Sequence, residues 1–257
     1  IHGENHKDIA NCYANIGLVH EFKGEYKVAL NYFQKALAIR QKLFGENDLK
    51  TADSYYDIAS ENYLLGNYQE SIEYFFKALK IREELAGASS YEVAHTLGAI
   101  ATVYIESQLF DDALGANRAT EKIYFDLKIN QISQEFAVLY NERGRIYFSQ
   151  SDYKNAILYW QKALEINQKL YGEKNVYTAK AYSNIGNAYQ AMGDYPRAIA
   201  NQEMALGIYK SIFGNSNPDI ALCYRSLGAI YRSTDDFDTA LSYFNQALEI
   251  YKKSLGE

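Results

Sequence analysis

The segment NIGNAYQAMGDYPRAIANQEMALGIY, residues 184–209, contains two helical patterns separated by a turn. Apolar residues recur at the spacing of one helix face on both sides of Gly193. Gly193 suits the left-handed residue that ends a helix, Asp194 can cap the next helix, and Pro196 fits its first turn. The segment therefore predicts a helical hairpin.

The same pattern recurs along the whole chain. Each copy can be aligned on the alanine that opens its first helix: Ala10, Ala52, Ala94, Ala137, Ala179 and Ala221. Seven residues after that alanine each copy has glycine or alanine, and the turn that follows leads to a tyrosine or phenylalanine. Small residues let helices approach closely, and aromatic residues fill the gaps beside them. The pattern predicts six helical hairpins, about twelve helices.

These residues resemble the tetratricopeptide repeat, whose hairpins have small residues at matching offsets. The spacing of about 42 residues is similar to that of kinesin light chain repeats, in which the second helix ends in Leu-x-Gly. That ending is present as Leu43-Phe44-Gly45 and Leu170-Tyr171-Gly172, and the opening of the next repeat as Asn217-Pro218-Asp219-Ile220-Ala221. The resemblance implies an all-α, right-handed α-solenoid. We expect residues 1–257 to form one solenoid, with repeats at about 5–46, 47–88, 89–130, 131–173, 174–215 and 216–257.

Both ends of the sequence resemble repeat borders, Ile1-His2-Gly3-Glu4 at one end and Leu255-Gly256-Glu257 at the other. We therefore expect a fragment of a longer protein.

The junction between repeats three and four is irregular and contains one extra residue. Glu121 replaces a leucine, and Arg143 stands where other repeats have isoleucine or leucine. Because each second helix packs on the following first helix, we expect Glu121 and Arg143 to form a partly buried ion pair. The alternative is that Arg143 extends over the apolar layer to solvent.

The composition excludes several classes of function. A net charge of −6 argues against a general nucleic-acid binder, because neutralising phosphates requires clustered Lys and Arg. No apolar run approaches the roughly 18 residues of a membrane span, so we expect no membrane insertion. Cys12 and Cys223 lie among apolar neighbours, which predicts that both are buried. Because they lie 211 residues apart and hold the same place in two repeats, we expect free thiols and a reducing, cytoplasmic (intracellular) setting.

Catalytic motifs are missing from the sequence: it has no glycine-rich phosphate loop, no His-Glu-x-x-His and no Cys-x-x-Cys. His2 and His6 have the spacing of metal ligands, but they lie at an end where fraying is expected. We predict no enzyme, no metal site and no cofactor.

A binding surface is what the family resemblance implies instead. In this family the first helices line the concave side of the solenoid, where an extended peptide binds. Carried over position by position, the resemblance implies these groove residues: Asn15, Asp53, Tyr56, Asp57, Tyr63, His95, Asn141, Arg145, Phe148, Lys180, Asn184, Asn187, Arg225 and Arg232. Asparagine can donate to and accept from a peptide backbone. The alternative for each residue is a polar helix position that faces water.

Charge is sorted along this groove. Acidic residues come early in the chain, at Glu21, Asp53, Asp57 and Glu61, whereas the basic groove residues come late. A partner segment with a basic end and an acidic end is therefore expected to bind in one direction.

We predict a non-enzymatic scaffold that binds an extended peptide or protein segment. One alternative is a peptide-sensing regulatory domain that changes superhelical pitch on binding, because bacterial peptide-pheromone receptors are similar to this repeat class. Another is a self-assembly module that forms homo-oligomers through its solenoid ends.

Overall fold

The computed structural model describes residues 6–255 and contains twelve α-helices, with no strand in that range. The expected fold class, all-α helical hairpins, is confirmed. The helices are α1 (Lys7–Phe22), α2 (Tyr26–Phe44), α3 (Leu49–Leu64), α4 (Tyr68–Ala86), α5 (Tyr91–Glu106), α6 (Phe110–Asp126), α7 (Gln134–Ser149), α8 (Tyr153–Tyr171), α9 (Val176–Ala191), α10 (Tyr195–Phe213), α11 (Pro218–Ser233) and α12 (Phe237–Leu255). Each odd-numbered helix pairs with the next helix to form a hairpin.

The turns within the hairpins use a residue with positive φ, as the sequence predicts for Gly193 (φ 76). Asp194 then accepts a hydrogen bond from the Arg197 backbone N–H at 3.3 Å, and Pro196 lies in the first turn of α10. The hairpin predicted from residues 184–209 is therefore confirmed. In three other hairpins a non-glycine residue takes this conformation: Gln108, Ser151 and Asp235.

The chain divides into two compact units, residues 1–129 and residues 130–257. Unit 1 contains α1–α6 and unit 2 contains α7–α12. Glu121 and Arg143 belong to different units, so their ion pair stays a prediction, as does a single solenoid formed by all repeats. Within unit 2 the Arg143 guanidinium lies over the ring of Tyr159, at 5.1 Å from its centroid.

In three hairpins the glycine of the repeat faces an aromatic residue of the same hairpin, whereas Gly186 faces Gln202. A Cβ built on Gly17 would lie 2.8 Å from the Phe33 ring, and one built on Gly144 would lie 2.5 Å from the Trp160 indole. The alanines that open the first helices are also buried. This contact explains why the sequence keeps a small residue there: a larger one would separate the two helices.

Within each unit, every second helix also packs on the following first helix. The first helices consequently lie next to each other, with α3 contacting α5 and α9 contacting α11. This arrangement places the groove residues of neighbouring repeats on adjacent helices.

The structure corrects the prediction that both cysteines are buried. Cys223 is buried, and burial raises the pKa of its thiol to about 12. Cys12 is exposed. Its position in the repeat faces a preceding second helix, and among the described residues no such helix covers α1. His2, which the sequence pairs with His6, lies outside the described residues.

Candidate functional site

A cavity of about 280 Å³ lies in unit 2 between α7, α8 and α9. It is lined by eight residues: Asn141, Arg145, Phe148, Ser149, Trp160, Lys180, Asn184 and Asn187. Six of these are groove residues expected from the sequence; the two others are Ser149 and Trp160. Its volume lies just below the roughly 300–1,000 Å³ of pockets for small molecules. We call this site the amide cavity.

The aromatic wall of the amide cavity is held by the close approach of α7 and α8. Because Gly144 has no side chain, the Trp160 indole fits against α7. Its Nε1–H donates to the Asn141 backbone carbonyl at 3.1 Å, and its ring packs 5.6 Å from that of Phe148. The result is an apolar surface beside a polar one.

The polar wall is a set of linked side-chain amides. Asn184 donates through Nδ2 to Oδ1 of Asn141 at 3.3 Å. Oδ1 of Asn187 accepts from Nε2 of the fully buried Gln202 at 2.7 Å and from Oγ of Ser226 at 3.4 Å. Within residues 6–255, these bonds leave Nδ2 of Asn141, Nδ2 of Asn187 and Oδ1 of Asn184 for a ligand. The amide orientations follow from this hydrogen-bond network.

Two basic side chains line the amide cavity. Arg145 is half-buried and Lys180 is exposed, and both line it. Lys180 and the two amide donors suit a carboxylate or a backbone carbonyl. Arg225 and Arg232 lie on α11, where both are exposed, and do not line this cavity.

In unit 1, Tyr56 is the centre of the second group of expected residues. Its ring stacks on His95 with centroids 5.0 Å apart and meets Phe75 edge-on at 5.1 Å. The Arg82 guanidinium lies 4.9 Å from the same ring and forms a 3.0 Å ion pair with Asp53. Burial and the nearby Arg82 lower the pKa of His95, which favours the neutral imidazole.

The two remaining expected residues of the aromatic and amide type lie elsewhere on unit 1. Tyr63 packs against Tyr68 at 6.1 Å near the end of α3. Asn15 is exposed on α1. The peptide-binding role of all these residues stays a prediction.

The sequence analysis did not identify two buried arginines on the second helices of unit 1. Arg40 and Arg82 hold the same place in successive repeats, and each donates to a hydroxyl on the next first helix, Arg40 to Ser54 at 2.7 Å and Arg82 to Thr96 at 2.8 Å. The sequence pattern that could have identified these two arginines is their shared position near the end of a second helix.

Two acidic residues of unit 1, Asp57 and Glu61, have raised pKa values. Burial raises the pKa of Asp57 to about 6, although Arg40 and Arg82 oppose the shift. Burial, and then the Glu21 carboxyl, raise the pKa of Glu61 to about 7. The sequence analysis counted Glu61 among the acidic residues along the groove but did not predict that it is buried. A comparison of repeats would have marked it, because the other five repeats are apolar at this position.

No helix between residues 6 and 255 is both long enough and apolar enough to cross a membrane. In that same part of the chain, no three His, Cys, Asp or Glu residues are grouped so that they could hold a metal ion.

Comparison with known proteins identifies the repeat. Residues 8–84, 51–124, 135–211 and 177–253 match the family model described as tetratricopeptide repeat. None of the curated proteins matches the sequence. Proteins of this repeat family generally mediate protein–protein interactions and are generally not enzymes.

Several solved structures are similar in fold. A putative kinesin light chain with nearly identical repeats, from Podosopora anserina, is 15% identical over 80% of this chain and 97% of that chain, with a TM-score of 0.70. A signal transduction ATPase with a tetratricopeptide repeat sensor, from Pyrococcus horikoshii, is 17% identical over 95% of this chain and 36% of that chain, with a TM-score of 0.74. The apo form of RapI is 16% identical over 96% of this chain and 99% of that chain, with a TM-score of 0.67. The family model spans most of the sequence, and the chain therefore belongs to the tetratricopeptide repeat family.

Proposed function

We propose that this chain is a non-enzymatic scaffold that binds an extended segment of a partner protein, and that an acidic side chain of the segment enters the amide cavity. The observation that carries the proposal is the set of donors around this cavity. Asn141, Asn187 and Lys180 can all donate to a ligand there, and Phe148 and Trp160 supply an apolar wall. A donor-rich cavity of this size suits a carboxylate side chain next to a peptide backbone.

The electrostatics of the cavity favour a protein segment with local negative charge. The whole chain carries a net charge of −6, so binding to nucleic acid phosphates is not part of the proposal. We also propose an intracellular place of action, because both cysteines are free thiols, as in proteins of a reducing compartment.

A peptide array tests this function. The array fixes a central glutamate among randomised neighbours, and matched arrays fix glutamine or lysine instead. We expect the full chain to be retained most strongly by the glutamate array. Replacing Asn184 and Asn187 together by alanine should weaken retention by about tenfold, since each lost hydrogen bond is worth about 0.5–1.5 kcal/mol. Circular dichroism should show unchanged helicity.

A second variant separates binding from folding. Asn187→Asp keeps the acceptor that Gln202 uses, but it replaces the Nδ2 donor by a negatively charged oxygen. We expect this variant to melt like the parent and to lose its preference for glutamate. Asn201→Ala, on α10 outside the amide cavity, is the matched control and should bind normally. Equal retention on all three arrays, or unchanged binding by Asn187→Asp, would refute the proposal.

The same experiments address the two alternative functions. A change in the radius of gyration when a retained peptide binds would favour the sensor. A mass above that of the monomer in light scattering, without peptide, would favour self-assembly.

A further inference from the structure

Glu61 is a buried acid at a position where the other repeats are apolar. The equivalent residues are Val19, Val103, Ile146, Ala188 and Ile230. Glu61 is 0% exposed, and among the described residues no group donates a hydrogen bond to either of its carboxylate oxygens. Leaving a buried acceptor without a donor costs about 1–3 kcal/mol, and more if it is charged. An apolar residue would avoid this cost, so the carboxyl requires an explanation.

The groups around Glu61 are themselves acidic. Glu21 on α1 is half-buried and lies within hydrogen-bonding reach of Glu61, and Asp57 lies one turn earlier on α3. Two carboxylates only accept hydrogen bonds, so Glu21 and Glu61 can bond to each other only when one of them is protonated. Glu21 therefore does not supply a donor to the ionised form of Glu61.

The neighbouring cations are engaged by other groups. Arg40, on α2, donates to Ser54, and Arg82, on α4, forms its ion pair with Asp53. Both act on the charge of Asp57. Within residues 6–255, neither Glu21 nor Glu61 forms an ion pair with a lysine or an arginine.

We propose that Glu61 and Glu21 form a receptor for a primary ammonium group, supplied by a lysine side chain of the bound partner. An ammonium is a compact charge with three donors on a flexible stem. It can reach past the half-buried Glu21 and donate to both carboxyls, which gives Glu61 the donor that the fold does not provide.

The inference rests on the proposed function only in that both concern the same partner segment. The two sites lie in different units and use opposite charges: the amide cavity of unit 2 for an acidic group, and the Glu21–Glu61 pair of unit 1 for a basic one. Each can be tested without the other.

Binding of an ammonium is coupled to loss of a proton. With the pKa of Glu61 raised to about 7 by burial, Glu21 and Asp57, its carboxyl is partly protonated at neutral pH. The protonated acid carries no charge to attract the ammonium. We therefore expect the affinity to rise with pH through this range.

The probe for the test is Nα-acetyl-lysine amide, added to the full chain while the carboxyl carbons are followed by NMR over a pH titration. We expect the probe to lower the apparent pKa of Glu61. Nα-acetyl-norleucine amide has the same stem without the charge and should leave the pKa of Glu61 unchanged. An equal effect of both probes, or no effect of the lysine probe, would overturn the receptor.

Variants complete the experiment. Glu61→Gln keeps the size of the side chain and should bind the lysine probe about tenfold more weakly or worse, since it removes one partner of a buried charge pair. Glu70→Gln, an exposed acid on α4, is the matched control and should bind as the parent does. If Glu61→Gln does not fold, Glu61→Val, which copies the other repeats, replaces it. Unchanged affinity in a folded variant contradicts the proposal.

The outcome also separates the two proposals. Asn187→Asp should leave the lysine probe bound as before. If the parent chain shows no preference for the glutamate array but binds the lysine probe, the amide cavity is refuted and the ammonium receptor is supported. If the parent chain prefers the glutamate array but does not bind the lysine probe, the ammonium receptor is refuted and the amide cavity is supported.

Discussion

Gly144 is one of the small residues of the repeat, and it also shapes the amide cavity. Because it has no side chain, the Trp160 indole fits against α7. We expect Gly144→Ala to destabilise the protein by about 1–3 kcal/mol, since the added methyl group would lie 2.5 Å from the indole. The displaced indole would also lose its bond to the Asn141 carbonyl. Urea unfolding measures the stability, and the glutamate array measures the binding.

The control at the residue scale is a second helical glycine of unit 2. A Cβ on Gly207 meets nothing within 4 Å. Gly207→Ala should therefore stabilise α10 by about 0.5–1 kcal/mol, because alanine favours a helix interior. Stabilisation by both substitutions would show that the close contact with Trp160 is not important.

At the scale of the element, α9 carries three groove residues and depends on its N-cap. Asn175 accepts from the Thr178 backbone N–H at 2.9 Å and donates to the Gly172 carbonyl. Asn175→Ala should cost about 1 kcal/mol in chemical unfolding, and Asn175→Ser should cost less. Equal stability of the parent and both variants would mean that the cap contributes nothing to α9.

For the whole molecule, the buried acids predict a dependence of stability on pH. The pKa of Asp57 is raised from 3.8 to about 6 and that of Glu61 from 4.5 to about 7. The folded state therefore holds more protons than the unfolded state between about pH 4 and 7. Stability is then highest below the unfolded pKa values and falls as the pH rises through this window. Solvent screening reduces the effect, and we expect Glu61 to account for about 2 kcal/mol.

Thermal or urea unfolding at pH 5 and at pH 8 measures this dependence. Glu61→Gln should remove the part of the slope that Glu61 causes and leave the part due to Asp57. A parent protein that is more stable at pH 8 than at pH 5 would contradict the assignment.

The repeat made much of the fold predictable, since its helix periodicity, glycine turns and small residues are all local patterns. The same register also identified six of the eight residues around the amide cavity. It could not identify Gln202, whose role is to orient Asn187 from the neighbouring helix. The repeat register also predicted that Cys12 is buried, but Cys12 is exposed. Its burial depends on whether another helix covers its face of α1.

The sequence by itself determined which residues are helical, where each hairpin turns and which residues share the first-helix face, because these follow from spacing along the chain. Only the tertiary structure decided which amide groups remain for a ligand, which arginines pair with which acids, and that Glu61 is buried without a donor. Those properties depend on atoms from helices that are far apart in the sequence, and the spacing of residues along the chain does not contain those distances.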